Sequence, residues 1–174
     1  MHKLLILPAF VVVFLACSGQ REAASNESAG ESKPQTVMSR YGGPNRSDSL
    51  VLSLERTPCF GTCKAYRLAV YRSGYATYEG RAHVEKMGPH SSRIGTDSLG
   101  IIVRLAEKHG FFGMEDKYDA DVTDLPSTQL RIVADGKDKK VLARVGQPPA
   151  FKELVSELET LLLPVAWKPV PAER

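Results

Sequence analysis

The sequence lacks any strong imbalance of charge. Its formal net charge is 23 − 20 = +3 over 174 residues, with basic and acidic side chains interspersed. A protein that holds nucleic acid by electrostatics needs a basic excess that is missing here. Glycine and proline number 14 and 11, without a collagen-like period and too few for wholesale disorder. No internal repeat is visible, no Gly-x-Ser-x-Gly elbow presents a nucleophile, and no glycine-rich phosphate loop stands between a strand and a helix. Nucleotide chemistry and the familiar hydrolase frameworks therefore have no support. What is present is ordinary globular material, 43% apolar and 25% charged, enough for one domain and too short for two comfortable ones.

The single long apolar run lies at the amino terminus. Met1-His2-Lys3 is basic, and Leu4 to Ala16 is almost wholly apolar before Cys17. About 13 residues cannot span a bilayer, which needs roughly 20, but they suit the core of a signal peptide. Ala16 immediately before Cys17 resembles the bacterial lipobox, which implies a signal peptide over 1–16 and lipidation at Cys17. A conventional secretory signal, cleaved nearby and leaving Cys17 as a plain thiol, is the alternative. More than one acyl chain gives stable anchoring without any membrane-spanning segment. Ser18 is not the Asp that resembles an inner-membrane retention signal, so the outer membrane is favoured. Residues 18–49 carry almost no large apolar side chains and read as a flexible tether. Its root-mean-square reach is about 30 Å.

From Leu50 the patterning becomes that of a folded domain. Leu50, Leu52 and Leu54 alternate with polar neighbours, predicting a half-buried strand. Tyr66 to Val70 and Tyr75 to Tyr78, parted by Ser73-Gly74, predict a hairpin whose second arm extends past a bend at Gly80 to Ala82 and Val84. Gly88 to Ser92 reads as loop. A helix follows, capped by Thr96 or Asp97, carrying Leu99, Ile102, Val103 and Ala106 on one side and closed by Gly110. Gln129 to Ala134 and Lys140 to Val145 predict a second hairpin, with Lys137, Lys139 and Lys140 at a solvated tip. Phe151, Leu154, Val155, Leu158, Leu161 and Leu162 give the strongest periodicity, a final helix opened by Pro148-Pro149 and stopped by Pro164. The expected fold is α+β: a mainly antiparallel sheet of about five strands, ordered β, β-hairpin, helix, β-hairpin, helix, with both helices on one face over residues 50–163. Residues 164–174 form a proline-rich tail.

The segment Arg56-Thr57-Pro58-Cys59-Phe60-Gly61-Thr62-Cys63, together with Tyr66, Gly74 and Tyr78-Glu79-Gly80, resembles a bacterial family built on a domain of unknown function. That family occurs largely in secreted or lipoprotein-anchored proteins and carries a Pro-Cys-Phe-Gly-x-Cys signature near its start. Thr123-Asp124-Leu125-Pro126-Ser127 is similar to it as well. The resemblance implies an address and a fold, and no activity.

Three readings of Cys59 and Cys63 stay open. In an oxidising compartment they form a disulfide, closing a five-residue loop and stabilising the fold by about 2 kcal/mol. A redox role is weakened by the Cys-x3-Cys spacing, and a metal role needs further ligands such as His83 and His90. Asp116, Asp119, Asp121 and Asp124 crowd one loop, but the calcium-loop pattern fails at Asp124 and Leu130, so the loop reads as solvated. Tyr66, Tyr71, Tyr75 and Tyr78 cluster on the first hairpin, and whichever face stays exposed is a candidate partner surface. The leading expectation is a lipid-tethered envelope protein that binds another envelope protein or peptide without catalysis or cofactor. A thiol-redox or metal-binding protein using Cys59 and Cys63 is the alternative, and a hydrolase with a loop-assembled site a third.

Overall fold

The computed structural model describes residues 47–120 and 124–171. The leader, Cys17, the tether through residue 46, Asp121 and the last three residues lie outside the described residues. The chain folds as α+β: β1 (Leu50–Arg56), β2 (Ala65–Tyr71), β3 (Tyr75–Ala82), β4 (Gly88–Arg93), α1 (Thr96–Lys108), β5 (Lys117–Tyr118), β6 (Thr128–Ala134), β7 (Lys137–Ala143), α2 (Pro149–Leu162) and β8 (Lys168–Pro169). The eight strands form one sheet in the order β5-β7-β6-β1-β2-β3-β4-β8. Every pairing is antiparallel except β5 with β7.

One face of the sheet is apolar because the register stacks like residues. Leu54 stands between Leu68 and Leu130, Leu52 between Val70 and Ile132, and Leu68 faces Tyr78. These side chains join Ile102 and Ala106 of α1 and Phe151, Leu154, Val155, Leu158 and Leu162 of α2 in a single core. Both helices therefore cover this face. The other face is polar: Glu55 takes hydrogen bonds from Arg67 and Arg81, and Arg131 pairs with Asp138.

The sheet is wider than the five strands expected. Gly88 to Arg93, read as loop, is β4, which has no apolar alternation because only His90 among its residues is buried. Its backbone is satisfied by β3 on one side and, at His90 and Ser91, by β8 on the other. Lys137, Lys139 and Lys140 do not form a hairpin tip. They belong to β7, and the turn is Asp135-Gly136 alone, with φ of 50° and 74° as a two-residue hairpin turn requires. The cap of α1 is Gly95 rather than Thr96 or Asp97.

Two local choices shape the end of the sheet where β1 finishes. After Ala82 the chain folds back so tightly that a Cβ on Gly80 would lie 1.8 Å from the Lys86 carbonyl oxygen. Only glycine fits there. Beyond α2, Trp167 packs against Tyr78 with ring centroids 5.5 Å apart and donates its indole N–H to the Leu162 carbonyl at 3.2 Å. The proline-rich tail is thus docked through Val170, whose N–H bonds to Pro89.

Candidate functional site

At this end of the sheet, segments distant in sequence converge. Arg56, the last residue of β1, donates through Nε to Glu159 Oε1 on α2 at 2.5 Å, and the Tyr66 hydroxyl of β2 donates to the same oxygen. Arg56 Nη1 lies 3.5 Å from the Thr128 hydroxyl at the start of β6. Burial alone would lower the guanidinium pKa, but the hydrogen bond and charge of Glu159 outweigh it and raise it. Burial, reinforced by the same carboxylate, pushes the Tyr66 phenol well above its ordinary value. Tyr66 is therefore a neutral donor, locked in place.

The next residue clasps the opposite loop. Thr57 N–H bonds to the Ser127 carbonyl at 3.0 Å, Ser127 N–H returns to Thr57 Oγ1 at 2.7 Å, and the two hydroxyls lie 3.1 Å apart. This sews the residue after β1 to the residue before β6. Cys59 and Cys63 are joined by a disulfide with Cα atoms 5.7 Å apart. The stapled loop carries Phe60 at its tip, 92% exposed.

Two adjoining clefts open here. The first, about 490 Å³, has Tyr66, Tyr78 and Trp167 among its lining and the His83–Lys86 segment along its side. The second, about 530 Å³, is bounded by Arg56, Lys64, Arg144, Gln147 and Glu159 and touches Cys63. Lys64, Tyr66 and Leu163 line both. The exposed large apolar side chains among the described residues are Phe60, Met87 and Leu125. Leu125 lines the second cleft, Phe60 belongs to the disulfide loop that reaches it, and Met87 directly follows Lys86 at the first.

Residues 50–162 match the model of a family described as Domain of unknown function (DUF6438). The chain belongs to this family. No curated protein matches it. The match covers both helices and every strand from β1 to β7, leaving only the edge strand β8 outside it, together with the residues that build the clefts up to Leu162.

Within the DUF6438 domain the predicted residues part company. The segments 56–63 and 124–127 meet across the Thr57–Ser127 clasp. The tyrosines do not form one surface. Tyr66 and Tyr78 are 1% and 4% exposed, face the helices, and contribute only cleft floor. Tyr71 and Tyr75 lie on the polar face with centroids 6.2 Å apart, and Tyr75 is buried beneath Arg93 at 6.0 Å, so only Tyr71 is partly open. Among the described residues no three His, Cys, Asp or Glu side chains converge as a metal site. His83 lines the first cleft, while His90 is buried with Nδ1 against the Gly88 carbonyl. Asp116 is paired with Lys139, and Asp119 with Lys117 and Arg144, so these acidic side chains hold β5 and β7 together.

Sequence reasoning missed Glu159, Arg144 and Met87. Glu159 sits on the flank of the buried stripe of α2 and reads there as a solvated charge; only the fold brings it to Arg56.

No helix among the described residues is long and apolar enough to cross a membrane.

Proposed function

We propose that this chain is a cell-envelope lipoprotein, anchored through acylated Cys17 and tethered by the residues that follow. Its DUF6438 domain binds another envelope protein or peptide without catalysis, and the paired clefts are the binding site. The observation that carries this reading is a pair of adjoining cavities, the second lined by the exposed Leu125, with exposed Phe60 and Met87 on the chain segments that supply Cys63 and Lys86 to their walls. Apolar side chains left in water beside a cleft lined by a few polar groups are the usual composition of an interaction site. The disulfide and the Thr57–Ser127 clasp support the same reading, because they hold the two rim loops in one geometry before any partner arrives, which lowers the ordering cost of binding.

Two measurements test it. Mass mapping of the membrane-extracted protein should give an acylated Cys17 peptide; an unmodified thiol there removes the anchor. A photo-crosslinking amino acid placed at position 60 or 125 in cells should capture the same discrete partner, and one placed at Lys152 on α2 should not. Failure to capture anything from either rim position, or turnover that disappears on replacing one polar residue, would sink the binding reading.

The alternative uses the sulfurs directly. Cys63 lines the second cleft and both cysteines are partly exposed, so a substrate thiol can approach. Under that reading, replacing either cysteine abolishes activity and leaves the fold intact.

A further inference from the structure

The two clefts differ in chemistry, and the difference specifies what they would hold. Resting on the binding-site reading above, we infer that they accept one extended peptide segment in which an aromatic side chain stands next to a carboxylate. The aromatic ring seats in the first cleft and the carboxylate in the second.

The first cleft is floored by three aromatic residues of the core, Tyr66, Tyr78 and Trp167, which are 1%, 4% and 8% exposed. Tyr66 and Tyr78 stack with centroids 5.6 Å apart, and Trp167 leans on Tyr78 at 5.5 Å. All three are held by the core, so their rings are a rigid floor that loses little freedom on binding. Rings prefer offset or edge contacts with other rings, which favours an aromatic guest over an aliphatic one.

The second cleft is basic. Arg56, Lys64 and Arg144 line it against one carboxylate, Glu159, whose Oε1 already accepts from Arg56 and Tyr66. Arg144 is paired with Asp119, but Lys64 is exposed and no carboxylate among the described residues pairs with it. Gln147 and Thr128 add polar groups around the same space. A guest with acceptor oxygens and negative charge satisfies this lining, and a cationic or purely apolar guest does not.

Lys64 and Tyr66 line both cavities. The ring and the carboxylate must therefore sit close together on the guest, and Lys64 reads the junction.

The test uses the full chain and its single tryptophan. Because Trp167 lines the first cleft, its emission reports occupancy. The probe is acetyl-Phe-Glu-Phe-Glu-amide, with Phe-Gln-Phe-Gln and Ala-Glu-Ala-Glu counterparts. The Phe-Glu peptide should shift the emission saturably and bind at least tenfold tighter than either counterpart, weakening as salt rises. Lys64→Glu should erase the preference for Glu over Gln. Lys152→Glu, the same charge change on the exposed surface of α2, should leave it intact. Equal binding of the Glu and Gln peptides, or equal loss in the Lys152 variant, overturns the carboxylate assignment. No emission change with any peptide overturns the inference entirely. If crosslinking at position 60 still captures a partner in that case, the binding reading survives and only the guest's chemistry was wrong.

Discussion

Arg56 and Glu159, 103 positions apart in sequence, share a side-chain ion pair that ties the end of the central strand to the last turn of the final helix. Their partnership is supported by Tyr66, which donates to the same carboxylate oxygen. One acceptor thus organises three elements at the cleft floor.

Removing that acceptor's charge should be costly in proportion. Glu159→Gln is expected to lower stability by roughly 1–3 kcal/mol, because a part-buried guanidinium loses its counter-ion. Tyr66→Phe removes one donor from a carboxylate that keeps another, and should cost about 1 kcal/mol. Denaturant titration of both singles and the double should give a non-zero coupling energy; strict additivity would mean that the shared oxygen is not a joint.

Alkaline unfolding follows from the same cluster. Tyr66, Tyr71 and Tyr78 all have pKa values raised, first by burial and then by nearby carboxylates such as Glu159, Asp48 and Glu85. A raised folded value means that the folded state keeps its proton while the unfolded chain releases it. Their contribution is complete below the unfolded value of about 10 and is lost as pH rises above it through the folded values. Melting temperature against pH should fall above that point, and the Tyr66→Phe variant should fall less steeply.

The opposite sign applies at acid pH. Burial would raise the Glu55 carboxyl, but hydrogen bonds from Arg67 and Arg81 and their charges outweigh it and lower it. Its contribution is present above the unfolded value of about 4.3 and disappears as pH falls below it. Glu55→Gln should flatten the acid limb of a stability profile while leaving the alkaline limb unchanged.

The Cys59–Cys63 staple is expected to stabilise by about 2 kcal/mol in the chain-entropy model. Replacing both cysteines with Ala should lower the denaturant midpoint accordingly and weaken partner capture at position 60. A variant of unchanged stability that loses activity would instead point to thiol chemistry.

Gly80→Ala is the sharpest test of the loop that borders the first cleft. The added methyl meets the Lys86 backbone carbonyl, which cannot rotate aside. A loss of roughly 1–3 kcal/mol is expected, with a change in Trp167 emission as the loop is pushed outward.

Much of this architecture was legible because burial imposes periodicity. The stripe Phe151, Leu154, Val155, Leu158 and Leu162 announces α2, and Leu52, Leu54, Leu130 and Ile132 alternate as residues of a half-covered sheet must. β4 and β8 were illegible because their contribution is backbone pairing, which leaves no side-chain pattern in Gly88-Pro89-His90-Ser91-Ser92 or Lys168-Pro169. The site was half legible. Arg56, Thr57, the cysteines and Tyr66 sit close together in sequence around a recognisable turn, whereas Glu159 and Trp167 reach it through tertiary packing that no local spacing encodes.

The axis of β1 also sets how the molecule carries load. The chain enters the sheet at Leu50 and reaches the clefts at Arg56, at the far end of the same strand. Under the proposed reading, tension between an amino-terminal anchor and a partner bound at the clefts would run along that strand. β1 is hydrogen-bonded on both sides, to β2 and to β6, by bonds perpendicular to its length. Such a pull acts in shear and must break the two ladders together, where a pull across the sheet would unzip them one bond at a time. The double pairing of β1 thus gives the domain its greatest mechanical resistance along the length of its central strand.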